Sequence, residues 1–141
     1  MFKYLKNINS SDHCLEISEM RLADDVAYEM EVPLGSILFV NENGELHYNF
    51  GVGATAYLAL EKRDAAIENP YIKAMRITPG MLFETKCKSN PASINRGRKI
   101  SLETNESSFL EVVDINGSAM AVELFDKSFT DDEFTVTVVT I

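Results

Sequence analysis

This sequence predicts an all-β chain, mainly antiparallel and with little helix, on three observations. Apolar residues recur at every second position, as they do where successive side chains alternate across a pleated sheet. Glycine, asparagine and proline punctuate the apolar runs at short intervals, the spacing of a small sandwich or barrel-like domain. Sustained helical spacing is almost absent. At 141 residues the chain suits one β-rich domain over residues 13–141, preceded by an N-terminal arm over residues 1–12.

The elements follow in order. In the arm, Phe2, Leu5 and Ile8 have crude helical spacing over too short a stretch to stand alone, so the arm is expected to lie on another surface. Strands are predicted at Cys14–Met20, Ile37–Val40, Glu45–Phe50, Ala54–Glu61, Tyr71–Thr78 and Met81–Cys87. Ile37–Val40 is a continuous apolar run of the kind buried on both faces. In Met81–Cys87, Met81, Phe83, Thr85 and Cys87 point one way, and Leu82, Glu84 and Lys86 the other. Further strands are predicted at Lys99–Glu103, Phe109–Ile115, Ser118–Phe125 and in the C-terminal FTVTVVTI, which alternates Phe134, Val136 and Val138 with threonines. These patterns place Phe83, Val122, Leu124 and Val136 in the core. Leu58–Ile67 has good helix formers, enough for one or two turns.

A weak repeat relates residues 33–61 to residues 95–125. Gly35-Ser-Ile-Leu-Phe-Val, a turn at Asn43-Gly44 and Gly53-Ala-Thr-Ala-Tyr-Leu-Ala-Leu60 are followed, about 62 to 64 positions later, by Gly97-Arg-Lys-Ile-Ser-Leu, a turn near Asn105 and Gly117-Ser-Ala-Met-Ala-Val-Glu-Leu124. Leu38 and Val40 then align with Ile100 and Leu102, and Leu58 and Leu60 with Val122 and Leu124. The pattern suggests two similar three-stranded units.

Charge narrows the function classes. The net charge is −9, and a globally acidic surface repels phosphate backbones. Between Thr85 and Leu102, however, stand five basic residues, Lys86, Lys88, Arg96, Arg98 and Lys99, and no acid, which leaves −14 on the rest. That window reads either as a solvated hairpin or as a docking patch for an acidic surface, including one on another copy of the chain. The N-terminal residues lack the apolar run of a signal peptide, and no stretch approaches 18 apolar residues, so synthesis and folding in the cytoplasm are expected.

Catalytic and metal-binding patterns fail on inspection. The two cysteines, Cys14 and Cys87, lack metal-ligand spacing and are expected as buried thiols. Gly51-Val-Gly53 lacks the third glycine and helix of a phosphate loop, and reads as a turn between strands. Asn41-Glu-Asn-Gly-Glu45 opens like a calcium loop, but the position for its bidentate glutamate is Val52. His13 and His47 belong to no catalytic spacing, and Asp24-Asp25 and Asp131-Asp132-Glu133 read as acidic turns. No catalytic, metal or cofactor residue is therefore expected.

Ala56-Tyr-Leu-Ala-Leu-Glu61 and Tyr71-Ile-Lys-Ala-Met-Arg-Ile-Thr-Pro-Gly-Met-Leu-Phe-Glu84 resemble a phrase in small tailed-bacteriophage structural proteins, where a glycine-led β unit follows. Here that unit would be Gly97-Arg-Lys-Ile-Ser-Leu, Gly117–Leu124 and Phe134–Val138. The resemblance covers roughly Gly53 to Ile141, with Arg76–Met81 its distinctive piece. It implies a virion protein of the capsid decoration or cement type, bound to a major capsid protein or another virion protein and assembling as a homo-oligomer, with no catalytic residues. From the residues alone, the competing reading is a small cytoplasmic module that binds a protein or metabolite.

Overall fold

The computed structural model describes residues 1–9, 15–49, 51, 53–65, 68–87, 95–104, 110–113, 121–130 and 133–141. In chain order the elements are β1 (Lys3–Asn7), β2 (Ile17–Arg21), α1 (Asp24–Glu29), β3 (Ile37–Val40), β4 (Leu46–His47), β5 (Ala56–Ala59), β6 (Tyr71–Arg76), β7 (Met81–Lys86), β8 (Lys99–Thr104), β9 (Leu110–Val113), β10 (Ala121–Thr130) and β11 (Glu133–Thr140). The chain is all-β and mainly antiparallel, and among the described residues no sheet closes into a barrel. It divides into two compact units, Leu15–Ile77, and Met1–Cys14 with Thr78–Ile141.

In the Leu15–Ile77 unit five strands lie in the order β2-β6-β5-β3-β4. Leu22 makes an isolated parallel bridge to Leu46, so one end of β2 curls onto β4. Leu22, Val26, Leu38, Phe39, Leu46, Ile72 and Met75 are buried. Leu38 and Phe39 point to opposite faces, as expected of a continuous apolar run. Among the described residues of Leu58–Ile67 there is no helix, β5 occupying the start of that stretch, and the helix that does form is at Asp24–Glu29. Asp24 and Asp25 stand in its first turn, where acids suit the helix dipole, and Val26 and Ala27 are its buried side. The predicted acidic turn is thus a helix start.

The other unit has the order β1-β7-β11-β10-β8-β9. Phe83, Ile100, Val122, Leu124, Val136 and Val138 are each about 1% exposed, as the alternation predicts. Leu82 is also buried, against the expectation that it would share an exposed face with Glu84 and Lys86. Two β-bulges interrupt the ladders, between Tyr4 and Lys6 and between Leu124 and Asp126.

The repeat is larger than the sequence suggests. Without β1, the second sheet reads β7-β11-β10-β8-β9, and the first reads β2-β6-β5-β3-β4; numbered within each unit, both are strands 1-5-4-2-3. The hydrogen bonds repeat as well. Gly35 N–H donates to the Ala59 carbonyl, and Gly97 N–H to the Leu124 carbonyl; Ala59 N–H returns to Ser36, and Leu124 N–H to Arg98. The preceding turns match, with Ser36 N–H on Pro33 and Arg98 N–H on Asn95, and Gly35 and Gly97 at φ +83° and +86°. Leu38 faces Tyr57 as Ile100 faces Val122. The partner of Val122 in the repeat is therefore Tyr57, and that of Leu124 is Ala59, one residue before the alignment drawn from sequence. Ala56, Leu58 and Ala59 are all buried, so apolarity on both faces of β5 hides its register.

Candidate docking surface

The basic side chains sit where a turn enters β8. Gly97 takes the left-handed conformation that glycine adopts without strain. Its N–H and the Arg98 carbonyl both bond Leu124, which pins the turn to β10. Arg96, Arg98 and Lys99 are exposed on this fixed backbone. The Arg96 guanidinium lies over the Phe125 ring, 4.3 Å from its centroid, a contact that steadies one charge by about 0.5–1 kcal/mol. Lys99 stands opposite Glu123 in the β8–β10 ladder. Lys86 is exposed at the end of β7, and Lys88 lies outside the described residues. Phe125 was not singled out by sequence reasoning, although an aromatic following the buried Leu124 in a strand of mixed charge was the available signal.

The arm lies on its own unit rather than projecting. Residues Lys3–Asn7 pair antiparallel with β7, Tyr4 opposite Phe83. Phe2 is buried, its ring edge-on to Phe83 at 6.5 Å, and Thr85 Oγ1 donates to the Met1 carbonyl. Of the three arm residues expected to dock, Phe2 thus belongs to the core, while Leu5 and Ile8 are exposed.

The distinctive Arg76–Met81 phrase has a structural task. Pro79 and Gly80 form the turn before β7, and Gly80 has φ +86°. Asn7 Nδ2 donates to the Pro79 carbonyl at 3.4 Å, Ile8 N–H to the Gly80 carbonyl at 2.9 Å, and Gly80 N–H to the Thr140 carbonyl at 2.9 Å. Thr140 Oγ1 in turn donates to the Thr78 carbonyl at 2.6 Å and accepts from Met81 N–H. A shallow depression of about 290 Å³ beside this turn is lined by Ile8, Pro79, Glu123, Val139 and Ile141 among others.

The remaining polar residues of interest hold structure. His47 Nδ1 accepts from Asn49 N–H, which leaves Nε2–H to donate to Asp25 Oδ2 at 2.9 Å. That hydrogen bond holds the Asp25 carboxyl below its ordinary range. Arg21 bridges Asp24 at 3.1 Å and Glu45 at 2.5 Å. The Asn41–Glu45 segment is a hairpin turn: Asn41 Oδ1 accepts from Asn43 and Glu45 N–H, and Gly44 has φ +77°. Ala54 N–H closes the Gly51–Ala54 turn on the Gly51 carbonyl. Cys87 is buried, and His13, Cys14 and Asp131-Asp132 lie outside the described residues. Among the described residues, no three His, Cys, Asp or Glu side chains gather as a metal site. No helix there is long and apolar enough to cross a membrane. No protein-family model, curated protein or solved structure matches the chain.

Proposed function

We propose that this chain is a non-enzymatic structural protein of a tailed-bacteriophage particle, binding the outside of the capsid as a decoration, cement or head-associated protein. The observation that carries the reading is the pinned basic turn, Arg96, Arg98 and Lys99, on a chain that is otherwise strongly acidic. Charges on a fixed turn orient the molecule toward an acidic surface before contact, while the −14 on the rest repels packaged DNA. The resemblance through Arg76–Met81 supports the same class. In this reading the partner is the major capsid protein or another virion protein, copies of the chain assemble side by side on the shell, and the protein moves from host cytoplasm to virion.

The test is co-sedimentation with purified empty shells of the phage whose genome encodes the chain. Binding should saturate at a copy number set by the shell symmetry, and the chain should be found in mature particles. Absence from particles together with no binding to shells overturns the proposal, and saturable binding to a metabolite or host protein instead favours the small regulatory module.

A further inference from the structure

The two similar units differ at one edge. In both, the first strand lies at the edge of the five-strand motif and pairs with the fifth. Leu22 N–H bonds the Pro70 carbonyl where Cys87 N–H bonds that of Phe134. Counting back from these equivalent bonds, Ile17 corresponds to Leu82 and Glu19 to Glu84. In an antiparallel ladder alternate residues face each neighbour. The bonds of Glu16 and Leu22 to β6 therefore turn the backbone groups of Ile17 and Glu19 outward. On β7 the corresponding stretch, Met81–Glu84, is covered by β1, which sets Lys3 opposite Glu84 and Lys6 opposite Leu82. On β2 the far end is used by β4, through the Leu22–Leu46 bridge and the Ala23 N–H to Leu46 carbonyl bond. At the near end, no strand other than β6 pairs with Ile17 or Glu19 among the described residues; Glu19 is exposed and Ile17 is 48% exposed. The vacant stretch thus matches the one that β1 fills in the other unit, with glutamate again at the place that faces a lysine and an apolar residue two positions before it.

We propose that the outward edge of β2 at Ile17 and Glu19 is a docking slot for an extended strand of a partner protein, basic and apolar like Lys3–Asn7. Such a strand adds main-chain hydrogen bonds along the edge, and its side chains set specificity. A lysine opposite Glu19 and an aliphatic stem over Ile17 are the complementary choices. A second copy of the chain fits poorly. Each copy owns one β1 and two such edges, so exchanging β1 between copies still leaves one edge vacant per copy. Pairing β2 with β2 would bring Glu16 and Glu19 of both copies together. β1 guards its own outer edge with Lys3, Lys6 and a bulge, whereas β2 pairs with β6 in unbroken register.

The test is titration of the isotopically labelled full-length chain with a synthetic peptide of sequence MFKYLKNIN, followed by amide chemical shifts. The expected result is saturable shifts at Ile17 and Glu19 below about 1 mM, and binding at least about tenfold weaker for the peptide with both lysines replaced by glutamate. Glu19→Pro removes only an outward N–H, so it should abolish binding while β2 stays paired with β6. Glu19→Lys leaves the backbone intact and should weaken binding about tenfold if the proline variant does not fold. The proposal is overturned by absence of shifts at about 1 mM peptide, by shifts confined to Leu82–Glu84, or by equal binding of the charge-reversed peptide. Self-association of the parent that Glu19→Pro removes would overturn it in favour of a second copy.

Discussion

Truncating Phe83 to alanine tests both the register of β7 and the docking of the arm. The side chain is about 1% exposed, with the Phe2 ring at 6.5 Å and 85° and the Tyr4 ring at 5.8 Å and 62°. Removing a buried phenylalanine costs about 3–5 kcal/mol through lost transfer energy and the cavity left behind. Each edge-to-face pair adds about 0.5–1.5 kcal/mol beyond burial, which places this site in the upper half of that range, near 4 kcal/mol. For a chain of this size that is a fall of roughly 8–16 °C in Tm. Urea unfolding should show a lower midpoint with an unchanged m-value, because the surface exposed on unfolding is nearly the same. A double-mutant cycle with Phe2→Ala should return a coupling of about 0.5–1.5 kcal/mol, since the two rings touch. A variant that melts within about 2 °C of the parent, or strict additivity with Phe2→Ala, would refute the placement of Phe83 beneath the arm.

Three further outcomes are expected. Gly80→Ala should cost about 1–3 kcal/mol, because φ is +86° and a Cβ would stand 2.3 Å from Asn9 Nδ2 and 2.9 Å from its Cγ; thermal melts in an Asn9→Gly background should recover the steric part but not the backbone part. Tyr48 is pushed up to about 12 by burial, with its hydroxyl near Ser36 and the Glu31 carbonyl. A raised folded-state value means that its stabilising contribution is complete below the unfolded value of about 10 and is lost as pH rises through about 12; phenolate absorbance should show a late component that Tyr48→Phe removes. Reversing Arg96 and Arg98 to glutamate should shift Tm by no more than about 3 °C, since exposed charges contribute little to stability. It should also slow association with shells and flatten its salt dependence, and an unchanged rate at low salt would show that the turn is only a solvated hairpin.

Strand positions were legible because alternation is written directly into a half-buried sheet, and Ile37–Val40 was bounded to the residue. Pairing was not. The fifth strand of each motif lies beside the first although the whole motif separates them in sequence, so only half of the repeat showed in adjacent residues. The helix at Asp24–Glu29 is too short to display a period, while the better helix formers after Leu58 follow a strand fixed by partners on both sides. The arm shows the same limit at the site. Phe2, Leu5 and Ile8 read as one apolar set, but pairing with β7 turns Phe2 inward and leaves the other two exposed. Charge was legible without any fold, since Arg96, Arg98 and Lys99 needed only to be outside.

The repeat also locates where the two units have been free to differ. Strand order, the Gly35 and Gly97 turns and the bonds that close them are common to both, because changing any of them would break a ladder on each side. Between the first strand and that shared turn nothing imposes the restraint, and there one unit carries α1, Asp24–Glu29, while the other carries no acid from Lys86 to Asn95. The equivalent turns make the contrast direct. Leu34, 59% exposed, occupies the position that Arg96 occupies in the other unit. An exposed leucine at one copy of the turn and an arginine stacked on Phe125 at the other give two surface points of different chemistry on one backbone design. Exchanging them, Leu34→Arg with Arg96→Leu, preserves composition and net charge but moves a cation from one unit to the other. If the basic turn orients docking, the exchange should slow association as strongly as removing Arg96 alone. If net charge alone governs encounter, the rate should be unchanged, and salt dependence measured on both variants separates the two.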